Sequence, residues 1–371
     1  MRLTKKNPGF ILRFSTQLNK FKELSKNDRV VVAVSGGLDS VTLLHLLCKL
    51  NFNNLIVAHV NHKIRTGSNG EELFVKNLCG NLKVPFYKKC LNPYAANKIS
   101  NIENWARIER YSYFFEILTR TCSKWIMTAH HANDQVETLF MNMAKKTGVQ
   151  GLAGIAEQNE HILRPLLRFE KKDIRKFALK MGYSFFEDPS NNDIRLSRNF
   201  IRHEIVFPWQ ESNPDLISGI TKSVDYFREW KSGLDYLIKD WIISKIEIRN
   251  DEFSIKKSLI HPMPSIIKLR LFQLLFTAKE NLWSKHQKDM LLQFLKSDKV
   301  GKIFYSHIGW RLLNDRCFIF GDKKFKHPLE RLTAMNLNKE VTFNNYKYNI
   351  KISDKEYRNI NTNPDFEFLD W

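Results

Sequence analysis

Between Arg29 and Leu50 the β-branched run Val30-Val31-Val32-Ala33-Val34 meets Ser35-Gly36-Gly37 and then a segment with the leucine spacing of an amphipathic helix. A short run that is apolar at every position reads as a strand buried on both faces, the condition of a parallel sheet sandwiched by helices. The same alternation continues downstream. Leu55–Val60 and Val84–Cys90 read as further strands, Asn101–Arg120 as a long helix with Ser100 and Glu103 as its capping box, Lys124–His130 as a strand, and Asp134–Ala144 as a helix. Strands and helices alternating at this spacing predict an α/β fold with a doubly wound, mostly parallel sheet. Such sheets bind ligands beyond the carboxyl ends of their strands. Three groups of polar residues fall there: Ser35–Ser40, His59–Asn61 and His130–Glu137.

After Gly154 the chain becomes basic, with a helix expected at about Glu170–Met181, and then runs through the Arg-rich segment Asp188–Pro208. Beyond it the pattern changes. Ile220–Ile248, Ser265–Lys279 and Ser284–Leu295 have helical periodicity. Lys302–Tyr305, Trp310–Leu313, Arg316–Phe320 and Glu340–Ser353 read as short strands, the last with a turn at Asn344–Asn345. The expected organisation is a catalytic domain over residues 1–208, a helical and small α+β domain over 209–320, and a short β-containing tail over 321–371.

The Gly pair removes side chains where a backbone must approach an anion closely, and the following helix offers first-turn N–H groups and the positive end of its dipole. Ser35 and Ser40 add hydroxyl donors. Asp39 is unfavourable beside phosphate unless it holds Mg²⁺ or caps the helix, so its presence points to a metal–pyrophosphate complex. No Lys follows the glycines, which argues against the loop of kinases and GTPases and against γ-phosphoryl transfer. Ser35–Ser40 instead resembles the SGGxDS signature of PP-loop ATP pyrophosphatases, which implies an adenine nucleotide alpha hydrolase-like fold. Residues 35–40, Leu38 included, are then the expected ATP-binding loop.

Further motifs follow in order: His59–Arg65 (HVNHKIR), Ala106–Tyr111 (ARIERY), Ala129–Thr138 (AHHANDQVET) and Asp188–Arg202 (DPSNNDIRLSRNFIR). Together with the loop they closely resemble the tRNA(Ile)-lysidine synthase family, strongly over Val30–Pro208 and more weakly over Ser265–Phe320. The resemblance implies a ligase. ATP adenylates the C2 oxygen of the wobble cytidine in a CAU-anticodon tRNA(Ile), and the ε-amine of free L-lysine then displaces AMP. Codon reading changes from AUG to AUA. Longer members carry a second C-terminal domain, whereas about fifty residues follow Phe320 here.

That chemistry needs carboxylates to hold an ammonium whose pKa is near ~10.4 in water and a group to take its proton. Asp134 and Glu137, three apart on a helix, project to one side and are assigned to lysine binding and catalysis, with His130 or His131 as the alternative base. The competing reading is that Asp134 and Glu137 are a capping box. The resemblance places Arg107 on the ATP phosphates or the adenylated intermediate. His59 and Asn61 are expected near the base or ribose of the nucleotide.

A formal net charge of +20 favours a polyanionic partner, nucleic acid ahead of an anionic membrane surface. Arg168, Lys172, Arg175, Arg195, Arg198, Asn199 and Arg202 are the expected tRNA contacts. Phe185, Phe186 and Phe200 are aromatic enough to stack on a splayed base, although a core role competes for each. No stretch is apolar enough to span a membrane and no signal segment is evident, so a cytoplasmic protein is expected. The five cysteines form no CxxC pair, which weighs against the nearest alternative, a PP-loop tRNA thiolase. A non-catalytic RNA-binding protein is the alternative from another class. A homodimer is a further expectation.

Overall fold

A computed structural model describes residues 9–61, 63, 68–91, 102–187, 193–249, 251–276, 283–323, 340–343 and 346–349. Ser100 of the expected capping box, residues 188–192 at the start of the Arg-rich segment and the Asn344–Asn345 turn lie outside these residues. The chain divides into two compact units, Met1–Leu237 and Ile238–Trp371.

The first unit opens with α1 (Phe10–Leu18) and then alternates β1 (Val30–Ala33), α2 (Leu38–Lys49), β2 (Leu55–Asn61), α3 (Ser68–Leu82), β3 (Phe86–Cys90), α4 (Ile102–Arg120), β4 (Trp125–Met127) and α5 (Ala132–Ala144). After α6 (Val149–Leu152) come β5 (Gln158–Asn159), β6 (Ile162–Leu163) and α7 (Lys171–Lys180). The sheet order is β3-β2-β1-β4-β6-β5, parallel throughout except for the edge pair β5–β6. This is the doubly wound, mostly parallel sheet expected from the strand–helix alternation.

The uninterrupted valines are explained by packing. Val30 and Val32 face one core with Phe14, Leu43, Leu47 and Val57, while Val31 faces the other with Ile56, Phe114, Ile117 and Ile126. Successive side chains alternate across the pleat, and both faces are covered, so every position is apolar. β4 stops at Met127, three residues before the expected strand end, and α5 begins at Ala132 rather than Asp134.

The Arg-rich segment forms a short helix, α8 (Ser197–Phe200), continuing into a π-helical turn (Ile201–Val206) and α9 (Phe207–Ser212). It packs on α5 through Ala132, Val136, Ile201 and Val206, joined by Leu216 and Ile217 of α10 (Leu216–Lys245). The sequence pattern carries the expected helix to Ile248; the structure ends it at Lys245 and turns into β7 (Glu247–Arg249).

In the second unit β7 and β8 (Glu252–Lys256) join β9 (Ile303–Tyr305), β10 (Arg311–Asn314) and β11 (Phe318–Asp322) in an antiparallel sheet of order β7-β8-β11-β10-β9. Short α11 (Lys257–Ile260) leads to α12 (Ser265–Leu275) and α13 (Lys285–Leu295), with an aromatic core of Phe253, Phe272, Phe276 and Trp310. β12 (Glu340–Phe343) pairs with β13 (Tyr346–Asn349). β7 and β8 escape the sequence reading because alternation over three to five residues is too short to separate from a helix end. Among the described residues no helix is long and apolar enough to cross a membrane.

Candidate active site

The phosphate loop joins β1 to α2. Gly36 has φ +96°, and a Cβ there would stand 3.2 Å from Val75 Cγ2, so conformation and space both demand glycine. Gly37 has an ordinary φ of −75° and is the N-cap of α2. Ser40 Oγ donates to Gly37 O at 3.0 Å and accepts from Ser35 N–H at 3.2 Å, while Ser35 Oγ lies 3.2 Å from Ser40 Oγ. The hydroxyls therefore brace the loop, and the first-turn N–H groups of α2, from buried Leu38 onward, supply the anion-facing dipole end.

The sequence offers stacking or a core role for Phe186, and its backbone does something else. Its N–H donates to Gly36 O at 2.9 Å, a bridge pairs it with Gly37, and its ring meets Phe74 edge-on at 5.4 Å. The loop is thus latched to the strand of chain leading into the Arg-rich segment. Long-range backbone pairing of this kind leaves no local signature.

His59 is buried and Nδ1 lies 2.8 Å from Val34 O, which makes Nδ1 the protonated nitrogen and leaves the buried Nε2 an acceptor without a partner among the described residues. Burial lowers its pKa, so the ring is neutral. Asn61 donates to Glu72 Oε2 at 3.0 Å and accepts from Lys63 N–H at 2.9 Å; it secures the end of β2.

Asp39, in the first turn of α2, has Oδ1 buried with no hydrogen bond and Oδ2 3.6 Å from His131 Nε2. His131 Nδ1 is in turn 3.6 Å from Asp134 Oδ2. Burial acts most strongly on His131 and opposes protonation, but Asp134 and Asp39 on its two sides together raise its pKa. Asp134 is driven the other way: against the cost of burial, His131 and Arg198 hold its carboxyl below the usual range. His130 bonds Thr128 Oγ1 at 2.8 Å, and burial pushes it down to about 3, with Arg164, Arg198 and Arg107 adding to the effect against Asp134.

The helix cap differs from the sequence reading. His131 is the N-cap: its side chain accepts from Asp134 N–H at 3.4 Å, and its own N–H donates to Asp134 Oδ2 at 2.8 Å. The box is His131–Asp134, three residues earlier than Asp134–Glu137, because β4 ends early and leaves His131 extended at the turn.

Glu137 is 1% exposed and fully engaged. Arg202 Nε and Nη2 donate to its two oxygens at 2.6 and 3.1 Å, and Arg198 Nε donates at 2.6 Å while Arg198 Nη2 reaches Asp134 Oδ1 at 2.8 Å. Two carboxylates expected for lysine and two arginines expected for RNA therefore form one cluster. The four-residue separation of Arg198 and Arg202 puts both on the face that α5 covers.

Around this cluster the charge is positive. Arg107 is exposed on α4, 5.0 Å from the Tyr111 ring. Arg110 has its pKa lowered by burial and by Arg107 and Arg198. Arg168 donates to Glu157 Oε1 at 2.7 Å and also pairs with Asp225 at 2.5 Å, so it ties α10 to the loop before β5. Lys172 pairs with Glu170 at 2.8 Å and Arg175 with Glu187 at 2.9 Å, both at the surface. Arg195 lies outward, bidentate on Asp193 at 2.8 Å, and buried Asn199 donates to Asp193 O at 3.1 Å.

The donor set fits a hard divalent cation. Among the described residues no three His, Cys, Asp or Glu side chains form a metal cage. Mg²⁺ needs none, since it keeps several waters and takes one or two carboxylates besides substrate phosphate. The unbonded, buried Asp39 Oδ1 beside the loop has that character.

The family model described as a PP-loop domain matches residues 11–208. A tRNA(Ile)-lysidine synthase from Parabacteroides distasonis is 32% identical over 306 residues, covering 82% of this chain and 68% of the relative. Those from Thermosipho africanus and Lactiplantibacillus plantarum are 36% and 37% identical over 65% and 57% of this chain, and 56% and 48% of their own lengths. The chain thus spans about half to two thirds of these relatives. Among solved structures, the U34-tRNA thiolase NcsA from Methanococcus maripaludis superposes with a TM-score of 0.51 at 17% identity, covering 59% of this chain and 80% of that one, a likeness of fold alone.

Proposed function

This chain belongs to the tRNA(Ile)-lysidine synthase family of PP-loop proteins, and we propose that it ligates L-lysine to C2 of the wobble cytidine of a CAU-anticodon tRNA(Ile) in the cytoplasm. ATP is the co-substrate of its PP-loop domain. Self-association as a homodimer belongs to the same proposal.

The observation that carries this reading is the continuous line Asp39–His131–Asp134, with 3.6 Å at each step, joining the phosphate loop to the carboxylate–arginine cluster. Activation and transfer sites thereby share one sheet end. In the first step the cytidine O2 attacks the α-phosphorus of ATP and pyrophosphate leaves. The N–H groups at the start of α2 hold the departing phosphates, and Arg107 faces the charge that develops. Mg²⁺ held by Asp39 would supply positive charge against the phosphate oxygens. In the second step the neutral ε-amine of lysine attacks C2 and AMP leaves.

Asp134 and Glu137 receive the lysine ammonium where Arg198 now sits. Arg198 is a cation already seated on both carboxylates, 32% exposed at its side chain. A phosphate of the bound RNA can draw it away, since guanidinium–phosphate pairs are strong and bidentate. His130, held near 3 by burial, stays neutral and accepts a proton only transiently, while Asp134, held below the usual carboxylate range by His131 and Arg198, is suited to binding the ammonium in its charged form. Lys172, Arg175 and Arg195, whose surface ion pairs are weak, remain available to RNA phosphates, as does the Arg198–Arg202 pair on its exposed side.

The test is incubation of the chain with ATP, Mg²⁺, labelled lysine and unmodified CAU-anticodon tRNA(Ile), followed by nuclease digestion. Label in the cytidine-derived nucleoside is expected; pyrophosphate release with no labelled nucleoside would refute the reading.

A further inference from the structure

Arg164 follows β6 directly and is 6% exposed. Leu163 is in register with Met127 of β4, and Thr128 N–H donates to Leu163 O at 3.1 Å. Arg164 therefore stands beside Thr128 at the carboxyl end of the sheet, and Thr128 Oγ1 is the 2.8 Å partner of His130. The guanidinium is anchored at one point: Nη1 donates to Ala156 O at 2.8 Å. Its Nε is buried without a hydrogen bond, and no ion pair engages it among the described residues.

Its neighbours are paired. Arg168 is held by Glu157 and Asp225, and Arg198 and Arg202 by Asp134 and Glu137. The nearby carboxylates are thus used by other cations, and Arg164 keeps a desolvated charge uncompensated. That arrangement is costly in a folded chain and persists where a bound anion completes it. The electrostatics agree. After burial, which is the leading influence, Arg164 is the strongest of the cations that disfavour protonation of His130.

We infer that Arg164 is a substrate-binding residue that receives an oxyanion over His130, either the α-carboxylate of the amino-acid substrate or a phosphate oxygen of the nucleotide. The inference rests on the ligase reading for its choice of substrates. A guanidinium binds either group through paired N–H donors, and no other side chain type reproduces that fork.

The experiment uses the full chain with Arg164→Gln and Arg164→Lys, each checked for native circular dichroism and melting temperature. KM for lysine, KM for ATP and kcat are measured, with lysinamide as a probe lacking the carboxylate. If the ligand is the carboxylate, Arg164→Gln raises KM for lysine about ten-fold or more, leaves KM for ATP within about two-fold, and abolishes the preference for lysine over lysinamide. If the ligand is phosphate, KM for ATP moves instead and the lysinamide preference survives. Arg164→Lys keeps the charge and recovers part of either loss. Unchanged KM for both substrates, or a fall in kcat that merely follows a lower melting temperature, overturns the inference. Should the wild-type chain transfer no lysine, the ligase reading fails separately. Equilibrium dialysis of ATP and of lysine against wild type and Arg164→Gln then decides the Arg164 site, with equal binding of both ligands refuting it.

Discussion

Replacing Glu137 by Gln tests whether the carboxylate–arginine cluster is a structural joint as well as a binding site. Glu137 is 1% exposed and accepts from Arg202 at 2.6 and 3.1 Å and from Arg198 at 2.6 Å. Glutamine preserves volume but leaves two guanidiniums short of their anion. Breaking a buried pair by removing one partner costs about 3–5 kcal/mol, so Glu137→Gln is expected to lose about 3 kcal/mol or more. Arg202→Met removes one cation while Arg198 still neutralises Glu137, and the loss of its charged hydrogen bonds costs about 1.5–3 kcal/mol. The double variant should be less unstable than the sum of the two, by a coupling energy of about 1–3 kcal/mol. Urea titrations of the four proteins, compared at equal m-value, measure that term. A coupling below about 0.5 kcal/mol, together with a Glu137→Gln stability within about 0.5 kcal/mol of wild type, would refute the joint. Glu137 would then serve lysine alone.

Three other perturbations follow from the geometry. Asp39→Asn should cost little stability, because Oδ1 makes no hydrogen bond and Oδ2 has only the 3.6 Å contact with His131, yet raise the Mg²⁺ concentration needed for pyrophosphate release about ten-fold or more; an unaltered Mg²⁺ titration removes Asp39 from metal binding. Phe186→Pro deletes the N–H that holds Gly36 O, and a lost hydrogen bond of about 0.5–1.5 kcal/mol predicts a two- to twelve-fold rise in KM for ATP, with Phe186→Leu near wild type. His130 has its folded pKa lowered to about 3 from 6.5, so between those values the unfolded chain binds the extra proton and stability falls as pH falls. The wild-type minus His130→Gln stability difference should therefore decline on acidification below pH 6.5 by up to about 1.4 kcal/mol per unit; a pH-independent difference contradicts the buried neutral ring.

Much of the catalytic unit is legible along the chain because its signals are local. Val30–Val34, Gly36–Gly37 and the helix after them specify a strand, a positive-φ turn and an N-terminus by side-chain shape and backbone freedom. The doubly wound, mostly parallel character of the sheet follows from repeating that pattern, whereas the order of its strands came from the structure. Asp39 is also singled out locally, since an acid in a phosphate loop invites a metal, the role proposed for it above.

What the tertiary structure decided lies between distant segments. Asp134 and Glu137 were identifiable as carboxylates at a strand end. That their partners are Arg198 and Arg202, more than sixty residues later, depends on Ile201 and Val206 docking against Val136. The one-turn displacement of the helix cap to His131 came from where β4 ceased to pair. Phe186 on Gly36 and the unpaired charge of Arg164 are likewise products of neighbours in space. Periodicity and propensity act over a turn or two of chain and so determine which elements form. The fate of a buried charge is set by which other charges the packed core brings within a few ångströms, and that information resides in the fold.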